Sequence, residues 1–356
     1  VHELFSILFT SLITIVSVFL FSGCSNKSAS ESQLESYLAN VRQACGNRDN
    51  QHAYTPALTP YPGQRQTRLK VQDIRIGFMD FFSLSACHLQ ALIAERNSAL
   101  GKIMPVSQQM IYEHRFLIKA LECQLQGEKA SHKDLYKKLE KVIAIKRDNL
   151  PKIYWNATFS SPEFEKMFAC ASSALDDKDL STLDYTINAL IYLLDVGEKL
   201  GNSEFTIDGK ELEDKYFHLS RRKAGGEILY SLDLLTYYLN QVSTTLDIRV
   251  SKTPLCPEGR PNKEAQKLFE IFRLQYIFEI QPYIVKLNQK AEQFLTLINR
   301  MAEPQKTLMP EPFVIFYEKQ INMHASEGMW QRFRKALSRH TQSWQKVLSQ
   351  CGLTPL

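Results

Sequence analysis

Two stretches of this chain repeat apolar residues in alternating steps of four and three, and that spacing restricts the fold more than any other feature. In the first, Ile228, Leu232, Leu235, Leu239, Val242 and Leu246 form a stripe; in the second, Leu287, Ala291, Phe294, Ile298 and Met301 do the same. Residues at heptad spacing share one face of a helix but would be split between the two faces of a strand. Both stretches are therefore expected to be helices with one buried side. Leu180, Leu183, Ile187, Leu190, Ile191 and Leu194 give a third stripe at helical spacing.

Composition points the same way. Gly and Pro number only 14 each in 356 residues, which is scarce for the residues that punctuate turns and break helices. With 44% hydrophobic and 23% charged residues, the chain has the mixture of a folded protein, not of a disordered or collagen-like one. The fold class expected is all-α: a multi-helix bundle of about nine or ten helices with long antiparallel helical hairpins. Length suggests roughly two domains, so residues 34–356 are read as a helical domain, possibly two packed units divided near 200–225.

Residues 4–21 carry no charge and end in Phe21-Ser22-Gly23-Cys24. This reads as a lipoprotein signal peptide over residues 1–23. An apolar segment enters the translocation machinery, small residues suit the peptidase, and the Cys24 thiol takes the diacylglyceryl group before cleavage. The run is also about long enough to span a bilayer, but the small pair before Cys24 favours the leader. Phe21 stands where Leu is commonest, and the segment before the run holds Glu3 but no Lys or Arg. A first residue of Val suggests an incomplete or mis-started N-terminus. Ser25, where Asp would retain a lipoprotein at the inner membrane, points to the inner leaflet of the outer membrane, facing the periplasm. Residues 24–33 suit a flexible tether.

The net charge of +5, or +6 without the leader, is too diffuse for a nucleic-acid surface. Lipidated Cys24 leaves six of seven cysteines, an even number in an oxidising compartment. Sequence alone does not fix their connectivity. Cys87 and Cys123 lie 18 residues either side of Pro105, at similar heights in a helical hairpin turning there. Cys256 lies in a Pro/Gly loop and Cys351 in the tail, where a bridge would hold down the C-terminus. Cys45 and Cys170 remain, as a third pair or free.

Locally, a first helix should bury Leu34, Leu38, Val41 and Cys45, and residues 47–70 should be irregular. Residues 71–100 read as one buried helix ended by Gly101 in the left-handed conformation, with Pro105 at the start of the next. Ser131 with Asp134 opens a helix reaching Pro151 or beyond, and Ser161 with Pro162 opens a shorter one. The short loop around Pro254, Pro257, Gly259 and Pro261 should make its flanking helices an antiparallel hairpin, the second kinked or split at Pro282.

Motifs of chemistry are sparse. The eight His are isolated, no C-x-x-C occurs, and nucleophile-elbow and P-loop patterns are missing, so no metal or cofactor is expected. Three polar strings stand out. Glu95-Arg96-Asn97-Ser98 ends an apolar helix, where it either lines a cleft or satisfies the helix terminus. Trp155-Asn156-Ala157-Thr158 either recognises a sugar or packs Trp155 and bonds Asn156 to a loop. Cys256-Pro257-Glu258-Gly259-Arg260-Pro261 is most simply a stapled turn.

Those strings, with Asp80-Phe81-Phe82, Cys87, Gln281-Pro282-Tyr283 and Gln350-Cys351-Gly352-Leu353, resemble the domain of unknown function 3080 family, uncharacterised lipoproteins of Gram-negative bacteria. The likeness covers nearly the whole mature chain. It implies a lipobox, a helical body and recurring cysteines at Cys87, Cys123, Cys256 and Cys351, and it carries no catalytic residue.

The function expected is a lipid-anchored periplasmic protein binding an envelope protein or a cell-wall component, with no nucleic-acid partner. The alternative is an envelope enzyme acting on peptidoglycan or lipid, with Asp80 and Glu95 as acid/base groups. On one helix these carboxylates would be about 22 Å apart along the axis, too far for a catalytic pair. In a C-terminal helix over residues 327–350, Arg332, Lys335, Arg339 and Lys346 share one face and Trp330, Phe333, Leu337, Trp344 and Val347 form a second stripe; either this basic amphipathic helix lies on an anionic surface, or the aromatic stripe docks on the bundle and the basic stripe is merely solvated.

Overall fold

A computed structural model of the chain describes residues 27–47, 54–74, 89–127 and 133–353. Among these there is no strand, and the elements are helices, as expected. The longer ones are α1 (Ala29–Ala44), α2 (Leu89–Asn97), α3 (Val106–Gly127), α4 (Lys133–Ala157), α5 (Asp177–Lys199), α6 (Gly209–Ser220), α7 (Ala224–Lys252), α8 (Lys263–Ile271), α9 (Gln281–Ala302) and α10 (Met329–Ser349). The leader, Cys24, Asp80 and Cys87 lie outside the described residues.

Capping chemistry sets the starts. The Ser161 hydroxyl accepts from the Phe164 N–H to open the helix Pro162–Met167. One carboxylate, Asp176, sits at the N-terminus of α5 and also accepts from the N–H groups of Ala29 and Ser30 at the start of α1. Partial burial raises its pKa, but those bonds and the Ser30 hydroxyl outweigh burial and hold it below its ordinary value.

Two hairpins are antiparallel. In one, Glu113 of α3 meets Lys146 of α4; in the other, Tyr185 of α5 stacks on His218 of α6 while Asp179 meets Arg222 just beyond it. The two other closest long pairs run parallel. Along α7 and α10, Asp233 faces Arg332 and Asp247 faces Arg339. Along α5 and α9, Asp177 faces Lys286 and Glu198 faces Arg300. The expected hairpin across the Pro loop is thus corrected: α7 takes α10, not the helix after the loop, as its closest neighbour. Arg249 and Glu264 still join the two ends of that loop with a bidentate pair.

The residue 71–100 reading is also corrected. Residues 71–74 are not helical, α2 spans Leu89–Asn97, and Ser98 caps a separate turn, Ala99–Lys102. Gly101 lies inside that turn and is not among the described glycines with positive φ, which are Gly46, Gly201, Gly259 and Gly352. Close approach is the reason for glycine there, since a Cβ would stand 2.2 Å from the Glu95 carbonyl oxygen.

Pro151 is carried inside α4, which continues to Ala157. Before Pro282 the helix widens into a π segment, Phe272–Ile280, with the Gln281 N–H bonding the Tyr276 carbonyl five residues back. This is the split expected at Pro282, whose missing N–H cannot sustain the α pattern. The main core draws on every one of these helices except α2, on both sides of 200–225, and a smaller core fills the space among α2, α3 and α4. Cys256 and Cys351 are joined, with Cα atoms 5.2 Å apart. Cys123 is disulfide-bonded, while Cys45 and Cys170 are free and form no third pair.

Candidate functional site

A cleft of about 680 Å³ opens where α2, α3 and α4 meet residues 71–74. Its α3 wall is a helical stripe, Gln109, Tyr112, Glu113 and Phe116, and α4 contributes Lys146. The Lys146 ammonium donates to the Glu113 carboxylate at 2.6 Å, and both side chains are largely buried, 11% and 7% exposed. The ammonium also lies 4.7 Å from the Phe116 ring centre and 5.5 Å from that of Tyr112. Carboxylate and rings together compensate a charge that burial alone would make costly. Burial first, and the Glu113 charge second, push the Tyr112 phenol well up, so it stays protonated and able to donate.

The opposite wall is held by two asparagines of α4, one heptad apart. Asn156 accepts from the Leu69 N–H at 2.8 Å and donates to the Leu69 carbonyl at 2.9 Å. Asn149 treats Gln72 in the same way, at 3.1 and 2.9 Å. Each amide thus does what a neighbouring strand would do, and keeps this segment extended. Trp155 is fully buried and its indole N–H donates to the Thr67 carbonyl at 2.8 Å.

The sequence candidates therefore separate. Arg96 and Asn97 line the cleft, with the Arg96 guanidinium also donating to the Gly101 carbonyl. Glu95 does not line it; its carboxylate is exposed, 3.7 Å from Arg115. Trp155 and Asn156 are not a ligand surface but support the cleft wall from behind. Sequence reasoning missed Glu113 and Lys146, which lie on different helices; the mixed stripe Gln109-Tyr112-Glu113-Phe116 was the one visible signal.

On α10 the aromatic face docks on the bundle. It also buries His340, whose Nε2 accepts from the Tyr37 hydroxyl at 2.8 Å while Trp344 donates to that hydroxyl at 2.7 Å. Burial pushes this imidazole down to about 3, so it is neutral. Of the basic stripe, Arg332 lies 3.6 Å from Asp233, Arg339 3.1 Å from Asp247 and Lys335 3.2 Å from Glu327, and Lys346 is exposed. Much of this charge is thus engaged within the fold, two of the pairs tying α10 to α7. Among the described residues no cluster of metal-ligating side chains occurs, and no helix is long and apolar enough to cross a membrane.

The fold and cleft define an all-α bundle with a charge-paired cleft walled by a clamped extended segment. The chain belongs to the family described as protein of unknown function (DUF3080), whose model matches residues 34–355. No curated protein and no solved structure matches it.

Proposed function

We propose that the protein is a lipid-anchored binding protein on the inner leaflet of the outer membrane, facing the periplasm, and that the α2/α3/α4 cleft receives a polar segment of an envelope protein or cell-wall component. The observation that carries this reading is the cleft: opposite charges are already paired within it, and amide and aromatic groups surround them. Such a surface suits an uncharged or charge-balanced polar partner better than a strongly charged one. The run ending in Ser22-Gly23-Cys24 supports the anchor, and the Cys256–Cys351 bridge suits an oxidising compartment.

Two experiments test the reading. Cys24→Ala should abolish metabolic labelling with palmitate and leave the chain unprocessed, because the thiol is the acylation site and part of the cleavage signal. Labelling that persists in the variant would remove the anchor from the proposal. A photo-crosslinking residue at Asn97, which is exposed and lines the cleft, should capture a discrete partner in intact cells. The same residue at exposed Lys267 on α8 should not. Equal capture at both positions, or none at Asn97, argues against the cleft.

A further inference from the structure

We propose that an exposed apolar stripe, on the helical rod formed by the π segment and the start of α9, rests on the lipid surface that holds the acylated Cys24, and so sets how the bundle stands on the membrane. This inference rests on the lipid anchor proposed above. Leu274, Phe278, Pro282 and Val285 follow one another at steps of four, four and three, and all are exposed, Phe278 by 64% and Val285 by 59%. On the other side of the rod Tyr276, Ile280, Tyr283 and Leu287 are buried in the bundle. The rod is thus apolar on two faces, and only one of them is covered by the fold. Apolar side chains aligned in this way, rather than scattered singly, mark a surface that meets a partner or a membrane.

The point of tethering favours the membrane. Lys27, the first described residue, lies three residues after Cys24, and three residues reach at most about 11 Å when fully extended. Ser28 then caps α1, so an acylated Cys24 holds the start of α1 close to the bilayer. Two contacts tie that start to the stripe. The Asp176 carboxylate accepts from the N–H groups of Ala29 and Ser30, and the next residue, Asp177, pairs at 2.7 Å with Lys286, beside Val285. From there α1 and the rod run antiparallel, with the Tyr37 and Tyr276 ring centres 6.0 Å apart. One end of the stripe therefore lies at the tethered end of the molecule. An acyl chain and an apolar helical face side by side are the two signals that together lay a helix in the membrane interface. Four partly exposed side chains fall well short of the ~800 Å² that each partner buries in a standard protein interface, which argues against a second protein as the cover.

The test uses the full acylated chain in vesicles of phosphatidylethanolamine and phosphatidylglycerol, with the photo-reactive p-benzoylphenylalanine in place of Phe278, Val285 or Leu125. Leu125 is an apolar control, 69% exposed near the end of α3. It lies beyond the far end of α5, a helix of 23 residues and so about 34 Å long, past the point where His114 of α3 accepts from the Gly201 N–H. After irradiation, mass spectrometry should find phospholipid joined to the chain about tenfold more often from positions 278 and 285 than from position 125. Adding Leu274→Glu and Val285→Glu to the chain labelled at position 278 should lower its capture about fivefold or more, with the acyl mass on Cys24 unchanged. An acylated chain that captures lipid equally from positions 278 and 125, or that gives a chain-to-chain adduct in place of lipid at 278, overturns the stripe and leaves the anchor standing. A chain without acyl mass on Cys24 overturns the anchor reading and this inference with it.

Discussion

Removing the Cys256–Cys351 bridge with the double substitution Cys256→Ser, Cys351→Ser is expected to lower the stability of the chain by about 3–5 kcal/mol. The cysteines are 95 residues apart, so the cross-link closes a long loop that carries α8, α9 and α10. Loop closure restricts the unfolded chain more as the loop grows, which places this bridge near the upper end of the usual range. The folded state loses little else locally, because the Gln350 side chain still accepts from the Leu255 N–H at 2.9 Å. Urea unfolding of the two proteins under non-reducing conditions measures the effect. Superimposable midpoints would show that the bridge adds nothing. Reducing the parent should shift the midpoint at least as far, since reduction removes this cross-link and the Cys123 disulfide as well.

Trp155→Ala should cost about 3–5 kcal/mol, the range for emptying a large aromatic from a packed core. The indole is fully buried, with ring centres 5.0 Å from Phe159 and 4.9 Å from Phe313. It also meets the Thr67 carbonyl, and Trp155→Phe separates the two contributions. The phenyl ring keeps most of the packing but strands that carbonyl, so about 1–3 kcal/mol should remain lost. Because Trp155 is adjacent to Asn156, the loss should be felt in the clamped segment. Amide exchange at Leu69 and Gln72, whose N–H groups bond to Asn156 and Asn149, should speed up more than the change in global stability accounts for. Exchange that tracks global stability alone would mean the clamp is independent of the tryptophan.

What sequence alone determined was local. The stripes at 180–194, 228–246 and 287–301 announced helices because a repeated apolar face is a property of consecutive residues, and their members are buried except Ile191, which is exposed. Ser161 before Pro162 marked a helix start for the same reason. For Cys256, in a loop, and Cys351, in the tail, sequence offered a candidate pairing but left the connectivity open, and the fold joins them.

What the tertiary structure decided was every choice that depends on residues far apart in the chain. Whether α7 pairs with the next helix or with α10 is set by how whole apolar faces fill space, and the local period is the same either way. Residues 71–74 look helical by composition, yet Asn149 and Asn156, some 77 and 87 positions away from their bonding partners, take up the neighbouring backbone groups and keep the segment extended. The cleft follows from that, because its walls come from three helices and a strap held together by long-range hydrogen bonds and one buried ion pair. No single stretch of sequence contains it. Glu113 and Lys146 are ordinary helix residues until the α3–α4 hairpin closes and removes their water.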